Sequence, residues 1–272
     1  GLDHIQVHHA DALEYLQEME PVDCLFLDPA RRDSHGGKTV AITECEPDVC
    51  ALESLLVEKG RKVMVKLSPM LDMASALRDL KYIRELHVIA VNNECKELTA
   101  VLYQMNSVNE SSEKEIVISC EQAVHNSLSE PFTYTLSEEK NAVCQLADRV
   151  ETYLYEPGAA LLKAGPYRLL SQRYGVKKLH PNSHLYTSSV QVDFPGRCFQ
   201  VTGISGFGKK EVKELLGGLE KANLTVRNFP ASVADLRKKL KLKEGGDVYL
   251  FATTLQNGEK VLIKCLKPAL LS

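Results

Sequence analysis

Three polar side chains of the N-terminal region are of types that could support chemistry. Asp11, Asp28 and Lys66 each come near the end of a segment with the pattern of a strand, and Pro29 follows Asp28 directly. Two carboxylates and an amine at one edge of a fold could hold a polar substrate in place or exchange protons with it. Asp11 also precedes the segment 12–16, which has a helical pattern, so a helix N-cap is the alternative role for this residue.

A pair of arginines, Arg31 and Arg32, follows Pro29 almost immediately. A planar guanidinium binds a phosphate through two parallel hydrogen bonds, so the pair indicates a phosphate-bearing substrate, with Lys66 as a third contact. Surface ion pairs are the alternative for the arginines, and an active-site base is the alternative for Lys66. The segment 35–38 is expected to be a loop that could close over the substrate.

Alternating strand and helix patterns would position these residues. The apolar periodicity predicts strands at 4–9, 22–28 and 61–69 with helices between them, and two strands within 86–105 joined by an Asn-rich turn. This order is typical of an α/β fold whose parallel strands end in an antiparallel hairpin. Ligands of open α/β sheets bind outside the carboxyl ends of the strands, so the acids and the lysine should line one rim.

The C-terminal part predicts a small α+β domain that follows a less regular middle region. Its pattern is strand, helix, strand, helix and a hairpin that turns on Asn257-Gly258, the last of these being a strong short-range hairpin signal. The glycine-containing segment 203–210 lacks the GK[ST] ending of a phosphate loop, so a strand-to-helix turn is expected there.

Charge is distributed unevenly along the chain. The net charge is −3, but residues 196–272 hold 14 Lys and Arg against 7 Asp and Glu. A basic module attached to an acidic body indicates a phosphate-bearing partner such as RNA, although a protein, another anionic ligand or a solvated lysine face would fit as well. The local candidates for phosphate contacts are Arg237, Lys238, Lys239, Lys241 and Lys243. Because aromatic residues are not interleaved with them, stacking of bases on this cluster is not predicted.

Several classes of protein are excluded or disfavoured by the sequence. The eight cysteines are scattered without a CxxC pair, which argues against a metal site and favours reduced thiols in the cytoplasm. The chain contains no run of about 20 apolar residues that would span a membrane, and its first residues do not have the pattern of a signal peptide. A hydrolase that uses Asp28 and Lys66 would need a nucleophile such as a GxSxG elbow, which the sequence lacks.

The stretches HADALEYL and VDCLFLDPARR, in this strand order, resemble the second half of a class I S-adenosylmethionine-dependent methyltransferase. The resemblance implies that Asp11 contacts the adenine amine of the cofactor and that the N–H of Ala12 meets a ring nitrogen. It also implies that Asp28, which borders the cofactor as well, and the backbone at Pro29 accept hydrogen bonds from the group to be methylated.

Two residues depart from the pattern of the family members that methylate amino groups. Ala30 stands in place of a second proline, and Arg31 in place of an aromatic residue. These differences argue against amino-group methylation and for a phosphate at this position. The glycine-rich cofactor loop and the ribose-binding acid of the family are expected to precede Gly1, so the pocket of these residues should be incomplete and should bind the cofactor weakly or not at all.

The remainder of the chain, including YLYEPGAALLKAGPYRLLSQRYG and FPASVADLRKKLKLKEGGDVYLFAT, is similar to bacterial THUMP-like methyltransferases. This resemblance implies half of a Rossmann-like domain at 1–108, a linker with a ferredoxin-like segment at 109–195 and a THUMP-like domain at 196–272. It implies methyl transfer to an RNA base of a tRNA or rRNA. The alternative is a non-catalytic RNA-binding protein on a methyltransferase-like scaffold.

Overall fold

The computed structural model of the protein describes residues 4–30, 42–104, 115–124 and 127–269. The chain divides into two compact units, residues 1–136 and 137–272. Each unit is built on a mixed sheet of seven strands in its described residues. The α/β fold expected from the sequence is therefore confirmed.

The first unit contains short helices and a sheet of mixed direction. Its helical elements are α1 Ala12–Glu18, a 3₁₀ turn Ile42–Glu44, α2 Val49–Lys59 and α3 Met73–Asp79. Its strands are β1 Val22–Leu27, β2 Gly60–Leu67, β3 Ile83–Val91, β4 Glu94–Tyr103, β5 Val117–Val124, β6 Ser127–Leu128 and β7 Phe132–Thr135. The strand order is β1-β2-β4-β3-β5-β6, and β7 pairs with the other end of β5.

The predicted change from parallel to antiparallel pairing is present in this sheet. Strands β1 and β2 run parallel, and β3 and β4 form an antiparallel hairpin whose β4 lies between β2 and β3. The hairpin turns on Asn92 and Asn93, whose φ angles are 50° and 61°. Asparagine tolerates this left-handed conformation better than most side chains, which explains the Asn-Asn turn. The sheet continues beyond residue 108 because β5 pairs in parallel with β3.

The strand predicted at residues 4–9 is not formed, and that prediction was wrong. The segment has no regular structure, and the side chains of Ile5 and Val7 are 54% and 91% exposed. A strand exists only when a neighbouring strand accepts and donates its backbone hydrogen bonds. Within the described residues no strand pairs with this segment, so its alternating sequence alone does not make it a strand.

The second unit combines the seven strands of its described residues with short helices. Its helices are α4 Leu136–Asn141, α5 Ala159–Ala164, α6 Tyr167–Tyr174, α7 Lys209–Leu216 and α8 Val233–Leu240. Its strands are β8 Tyr153–Pro157, β9 Lys177–Lys178, β10 Tyr186–Ser188, β11 Gly196–Ser205, β12 Asn223–Arg227, β13 Tyr249–Thr254 and β14 Lys260–Leu266. They lie in the order β12-β13-β14-β11-β8-β10-β9.

The sequence predicted the C-terminal elements closely. The hairpin β13–β14 turns where Asn257-Gly258 predicted it, and Gly258 has a φ of 85°. The helix predicted after the first C-terminal strand is α7, which ends at Leu216 because Gly217 and Gly218 take the left-handed conformation that ends a helix.

Both faces of the second sheet are buried, each in its own core. Phe251 of β13 and Ile263 of β14 pack on one face with Leu154 of β8, whereas Leu250 and Leu262 pack on the other face with helix α8. Successive residues of a strand point to opposite faces, so these strands read as continuous apolar runs. The sheet thus separates two apolar cores within the second unit.

Candidate functional site

The ends of β1 and β2 bring Asp28 and Lys66 together, as the sequence predicted for one rim of the sheet. The strands are parallel, with Leu27 opposite Val65, so Asp28 directly after β1 and Lys66 near the end of β2 lie at the same edge. The ammonium Nζ of Lys66 lies 2.8 Å from Oδ2 of Asp28. The side chains are 30% and 48% exposed, so water and a ligand can reach the pair.

The turn after Asp28 is fixed by its backbone. Pro29 is buried, and Ala30 pairs with Glu46 through two hydrogen bonds, from the N–H of Ala30 to the carbonyl of Glu46 at 2.8 Å and in return at 3.0 Å. This pairing holds the direction in which the carboxylate of Asp28 leaves the strand. The predicted phosphate contacts Arg31 and Arg32, and the predicted loop 35–38, lie outside the described residues.

Asp11 is the N-cap of helix α1. Its Oδ1 accepts hydrogen bonds from the N–H groups of Leu13 at 2.9 Å and Glu14 at 3.2 Å. Both cap bonds fall on Oδ1, so capping does not engage Oδ2. Ala12 is the first residue of the helix, and an N–H at that position has no acceptor within the helix. The capping role and a ligand role for Asp11 and Ala12 are therefore compatible.

A polar row crosses the first sheet from Lys66 and was not predicted from the sequence. Lys66 is opposite Thr99, and Thr99 is opposite His87, so all three side chains lie on one face. The ring nitrogens of His87 lie 2.7 Å from Oε1 of Glu121 and 3.1 Å from Oε2 of Glu85. The signal available in the sequence was the alternation of polar and apolar residues in β3, which requires a partly polar face.

One carboxylate of this row has a shifted pKa. Burial disfavours the charged form of Glu85, but hydrogen bonds from His87 and from the hydroxyl of Tyr103 at 3.0 Å hold the pKa of Glu85 below its usual range. Glu85 therefore stays charged and can hold the ring of His87 in place.

The predicted basic cluster of the second unit separates into two kinds of residue. Lys238 and Lys239 are exposed on helix α8, and Lys241 is its exposed C-cap, with a φ of 56°. Arg237 points back to the domain: its Nη1 donates to the carbonyl of Ala222 at 3.4 Å, and its side chain is only 22% exposed. The lysines are thus the members of the cluster that face water.

A second charged cluster, which we call the Glu156 cluster, joins Glu156 of β8 with Arg197 of β11 and Arg227 of β12. The side chain of Glu156 is 2% exposed. Arg227 donates to its Oε1 from Nε at 3.1 Å and from Nη2 at 2.8 Å, and Arg197 donates to its Oε2 from the same two atoms. The sequence signal was a glutamate inside the apolar strand YLYEP, since a buried carboxylate needs a cationic partner.

The glycine-containing segment 203–210 is a strand-to-helix turn, as expected. Gly208 is the N-cap of α7, and the carboxylate of Glu211 from the first turn of that helix lies against this loop. A Cβ atom on Gly206 would come within 2.6 Å of Oε2 of Glu211. The helix start is therefore covered by the protein's own carboxylate.

Two broad features of the described residues bear on function. Among them, no group of three or more His, Cys, Asp or Glu side chains is arranged to hold a metal ion. None of the helices in the described ranges is both long and apolar enough to cross a membrane.

Comparison with known proteins assigns the second unit to two recognised domain types. Residues 153–195 match the model of a ferredoxin-like domain, and residues 196–267 match that of a THUMP domain-like family. The predicted ferredoxin-like segment and THUMP-like domain are thereby confirmed. Strands β8 to β10 belong to the first and β11 to β14 to the second, so the two domains share one sheet.

One solved structure is similar to almost the whole chain. It is the crystal structure of a candidate methyltransferase from Porphyromonas gingivalis W83, with a TM-score of 0.80 and 36% sequence identity. The alignment covers 91% of this chain and 60% of that protein, so the chain spans about three-fifths of its length. Among proteins of curated function, none matches the chain in sequence. The chain thus resembles a candidate methyltransferase in sequence and fold, and it carries a THUMP-like domain.

Proposed function

We propose that the protein is an S-adenosylmethionine-dependent methyltransferase that acts on RNA. The single observation that carries the proposal is the pair of Asp28 and Lys66 at the carboxyl ends of two parallel strands, in a chain similar to a candidate methyltransferase. This edge is where α/β sheets bind their ligands. The exposed lysines of the THUMP-like domain support RNA as the substrate.

The residues of the first unit fit the adenine end of the methyl donor. Oδ2 of Asp11 can accept from the adenine amine, because both cap bonds use Oδ1, and the N–H of Ala12 can donate to a ring nitrogen. When bound, the cofactor supplies the methyl group as an electrophile. The protein's own contribution is to hold the cofactor and the accepting atom in line.

Asp28 is proposed to position the accepting group. Lys66 binds Oδ2 and orients the carboxylate, so Oδ1 can accept a hydrogen bond from the substrate. The carbonyl of Ala30 is bound by Glu46, and the carbonyl of Pro29 in the same turn is proposed as a second acceptor. Such positioning lowers the barrier without transferring a proton to the protein.

The test measures methyl transfer from labelled S-adenosylmethionine to bulk RNA. The protein used is the chain together with any residues that its gene encodes before Gly1. We expect Asp28→Asn to lower the rate by about 100-fold, because an amide of the same shape cannot accept in the same way and loses its ion pair. Asp23→Asn is the matched control, since Asp23 lies at the other end of β1, pairs with Arg61 and is 90% exposed.

Three outcomes separate the possibilities. A rate that falls in Asp28→Asn but not in Asp23→Asn supports the proposal. Equal transfer by the wild type and Asp28→Asn would show that Asp28 has no role. RNA binding without any methyl transfer would favour a non-catalytic RNA-binding protein on the same scaffold.

A further inference from the structure

An open pocket of about 290 Å³ lies on the surface of the THUMP-like domain. It is formed by the turn before α7, the segment after β12, helix α8 and the start of β14. Its lining includes Phe207, Phe229, Asp235, Lys239 and Lys260. We call it the Phe207–Phe229 pocket. Its volume is just below the range of about 300–1,000 Å³ typical of sites for drug-sized ligands, so a single small ring suits it better.

The floor of the pocket is aromatic, and its position is fixed by the backbone. The rings of Phe207 and Phe229 lie 4.7 Å apart at 35° to each other and are both partly buried against the domain core. Asn228, which precedes Phe229, has a φ of 49°, and its carbonyl accepts a hydrogen bond from Thr254 at 2.7 Å. A left-handed non-glycine residue held in this way gives Phe229 a defined direction, so little order has to be gained on binding.

The rim of the pocket carries two exposed amines. Lys239 of α8 places its Nζ 5.8 Å from the centre of the Phe207 ring, and Lys260 lines the pocket from the start of β14. The acidic residue of the lining is Asp235, whose Oδ2 already accepts a hydrogen bond from Ser232 at 2.6 Å. The pocket therefore offers an aromatic surface with positive charge beside it.

A ligand that matches this surface needs a flat ring joined to an anion. A nucleobase with its neighbouring phosphate has both, and base stacking on aromatic side chains beside basic residues is a general mode of binding single strands. The sequence alone argued against stacking because no aromatic residue lies among the lysines of α8. The fold brings Phe207 and Phe229 to Lys239 from 32 and 10 positions away.

We propose that the Phe207–Phe229 pocket binds one unstacked base of single-stranded RNA, with Lys239 and Lys260 on the adjoining phosphates. The inference rests on the proposed function in that RNA is the ligand of this domain. It adds that RNA is held through a base as well as through its backbone, so a base-paired helix with no unpaired end would bind more weakly.

The test uses the absence of tryptophan from the chain. Phe207→Trp introduces the sole indole emitter at the pocket, and a hexameric oligoadenylate serves as the probe. We expect the probe to quench this emission at low salt and to do so less as salt is raised. Val190→Trp, at a position whose native side chain is 65% exposed and outside the pocket, is the matched emitter that should not be quenched.

Charge reversal at the rim is the second arm. In the Phe207→Trp protein, the pair Lys239→Glu and Lys260→Glu should weaken the quenching titration by about tenfold or more. The pair Lys210→Glu and Lys213→Glu changes the net charge equally at exposed positions of α7 that do not line the pocket, and should change the titration little. Equal loss in both pairs would overturn the proposal, because it would indicate attraction to overall charge.

The outcomes distinguish this pocket from the proposed function. If the probe shifts in a mobility assay while the indole emission of the Phe207→Trp protein is unchanged, the protein binds RNA but the proposed base binding in the pocket is wrong. If neither the probe nor bulk tRNA binds at low salt, the RNA substrate of the proposed function fails too. Quenching in the Phe207→Trp protein but not in the Val190→Trp protein, sensitive to the rim lysines, supports the base-binding pocket.

Discussion

Asp28 of the first unit and Glu156 of the second are both carboxylates that meet basic side chains, but water reaches them very differently. The side chain of Asp28 is 48% exposed, and Lys66 binds it through one contact at 2.8 Å. The side chain of Glu156 is 2% exposed, and the guanidinium groups of Arg197 and Arg227 together donate to both of its oxygens. One carboxylate can exchange a partner for a substrate, and the other cannot.

The difference separates chemistry from stability within one chain. Exposed ion pairs contribute about 0–1 kcal/mol to folding, so Asp28 and Lys66 are free to serve binding. A buried ion pair behaves differently: removing either the carboxylate or its cationic partner leaves an unpaired buried charge and destabilises the fold strongly. The Glu156 cluster also joins β8 of the ferredoxin-like segment to β11 and β12 of the THUMP-like domain, and therefore ties the two together.

The largest expected effect is that of Glu156→Gln. The amide keeps the volume but not the charge, and it turns an N–H₂ group toward one of two guanidinium groups. We expect the free energy of unfolding of the second unit to fall by about 3 kcal/mol, as measured by urea denaturation followed by circular dichroism. Glu244→Gln is the control, because Glu244 is 83% exposed and lies 3.9 Å from Arg237. A loss for Glu156→Gln as small as that of the control would remove the contrast with Asp28.

The Glu156 cluster also shows where prediction from sequence ends. Local signals were sufficient for the hairpin at Asn257-Gly258 and for the place of Asp28, since each depends on neighbours within a few residues. The partners of Glu156 lie 41 and 71 positions away, and nothing local to the strand YLYEP specifies them. The glutamate could be identified as needing a cation, but the choice of cation depends on the strand order.

The dependence of contacts on strand order also explains two other differences between the predictions from sequence and the structure. The segment 4–9 has the alternation of a strand, but pairing decides whether a strand forms, and no local signal supplies a partner. The Phe207–Phe229 pocket was missed because its rings come from two loops that meet only after the sheet is built. Residue types at strand ends were predictable, and contacts between distant loops were not.

An intermediate effect is expected at His184, which lies near the Glu156 cluster. Burial, and then the charges of Lys178 and Arg227, lower the pKa of His184 to about 4, and its Nδ1 has no hydrogen-bond partner among the described residues. The ring of Tyr167 stacks on it at 3.7 Å. The folded protein therefore resists protonation of His184, whereas the unfolded chain takes up the proton near pH 6.5.

The direction in which stability changes with pH follows from this difference in proton uptake. Between pH 6.5 and 4 the unfolded chain binds more protons at this site, so stability is present at neutral pH and decreases as the pH falls. The free energy of unfolding decreases between neutral and acid pH, and His184→Asn should remove about 1 kcal/mol of that decrease. This value is reduced because the side chain of His184 is partly exposed. Asparagine is chosen because His184 has a φ of 53°. The measurement is the melting temperature against pH, and an identical slope in both proteins would refute the assignment. His9→Asn, at an exposed position, is the control.

The smallest effect on stability is expected for Lys66→Met, which tests the other side of the comparison. Methionine keeps the apolar stem of the lysine, and Asp28 remains solvated after the ammonium is lost, so the free energy of unfolding should change by less than about 0.5 kcal/mol. Arg61→Met is the matched control, since Arg61 and Asp23 form the corresponding exposed pair at the start of the same two strands, 3.3 Å apart.

If Lys66 orients Asp28, methyl transfer by Lys66→Met should fall by about tenfold in kcat with the KM for S-adenosylmethionine unchanged, and Arg61→Met should stay at the wild-type rate. A large loss of stability in Lys66→Met would instead show that the pair of Asp28 and Lys66 is a structural contact, like the Glu156 cluster. Its exposure to water would then be no evidence for a functional site.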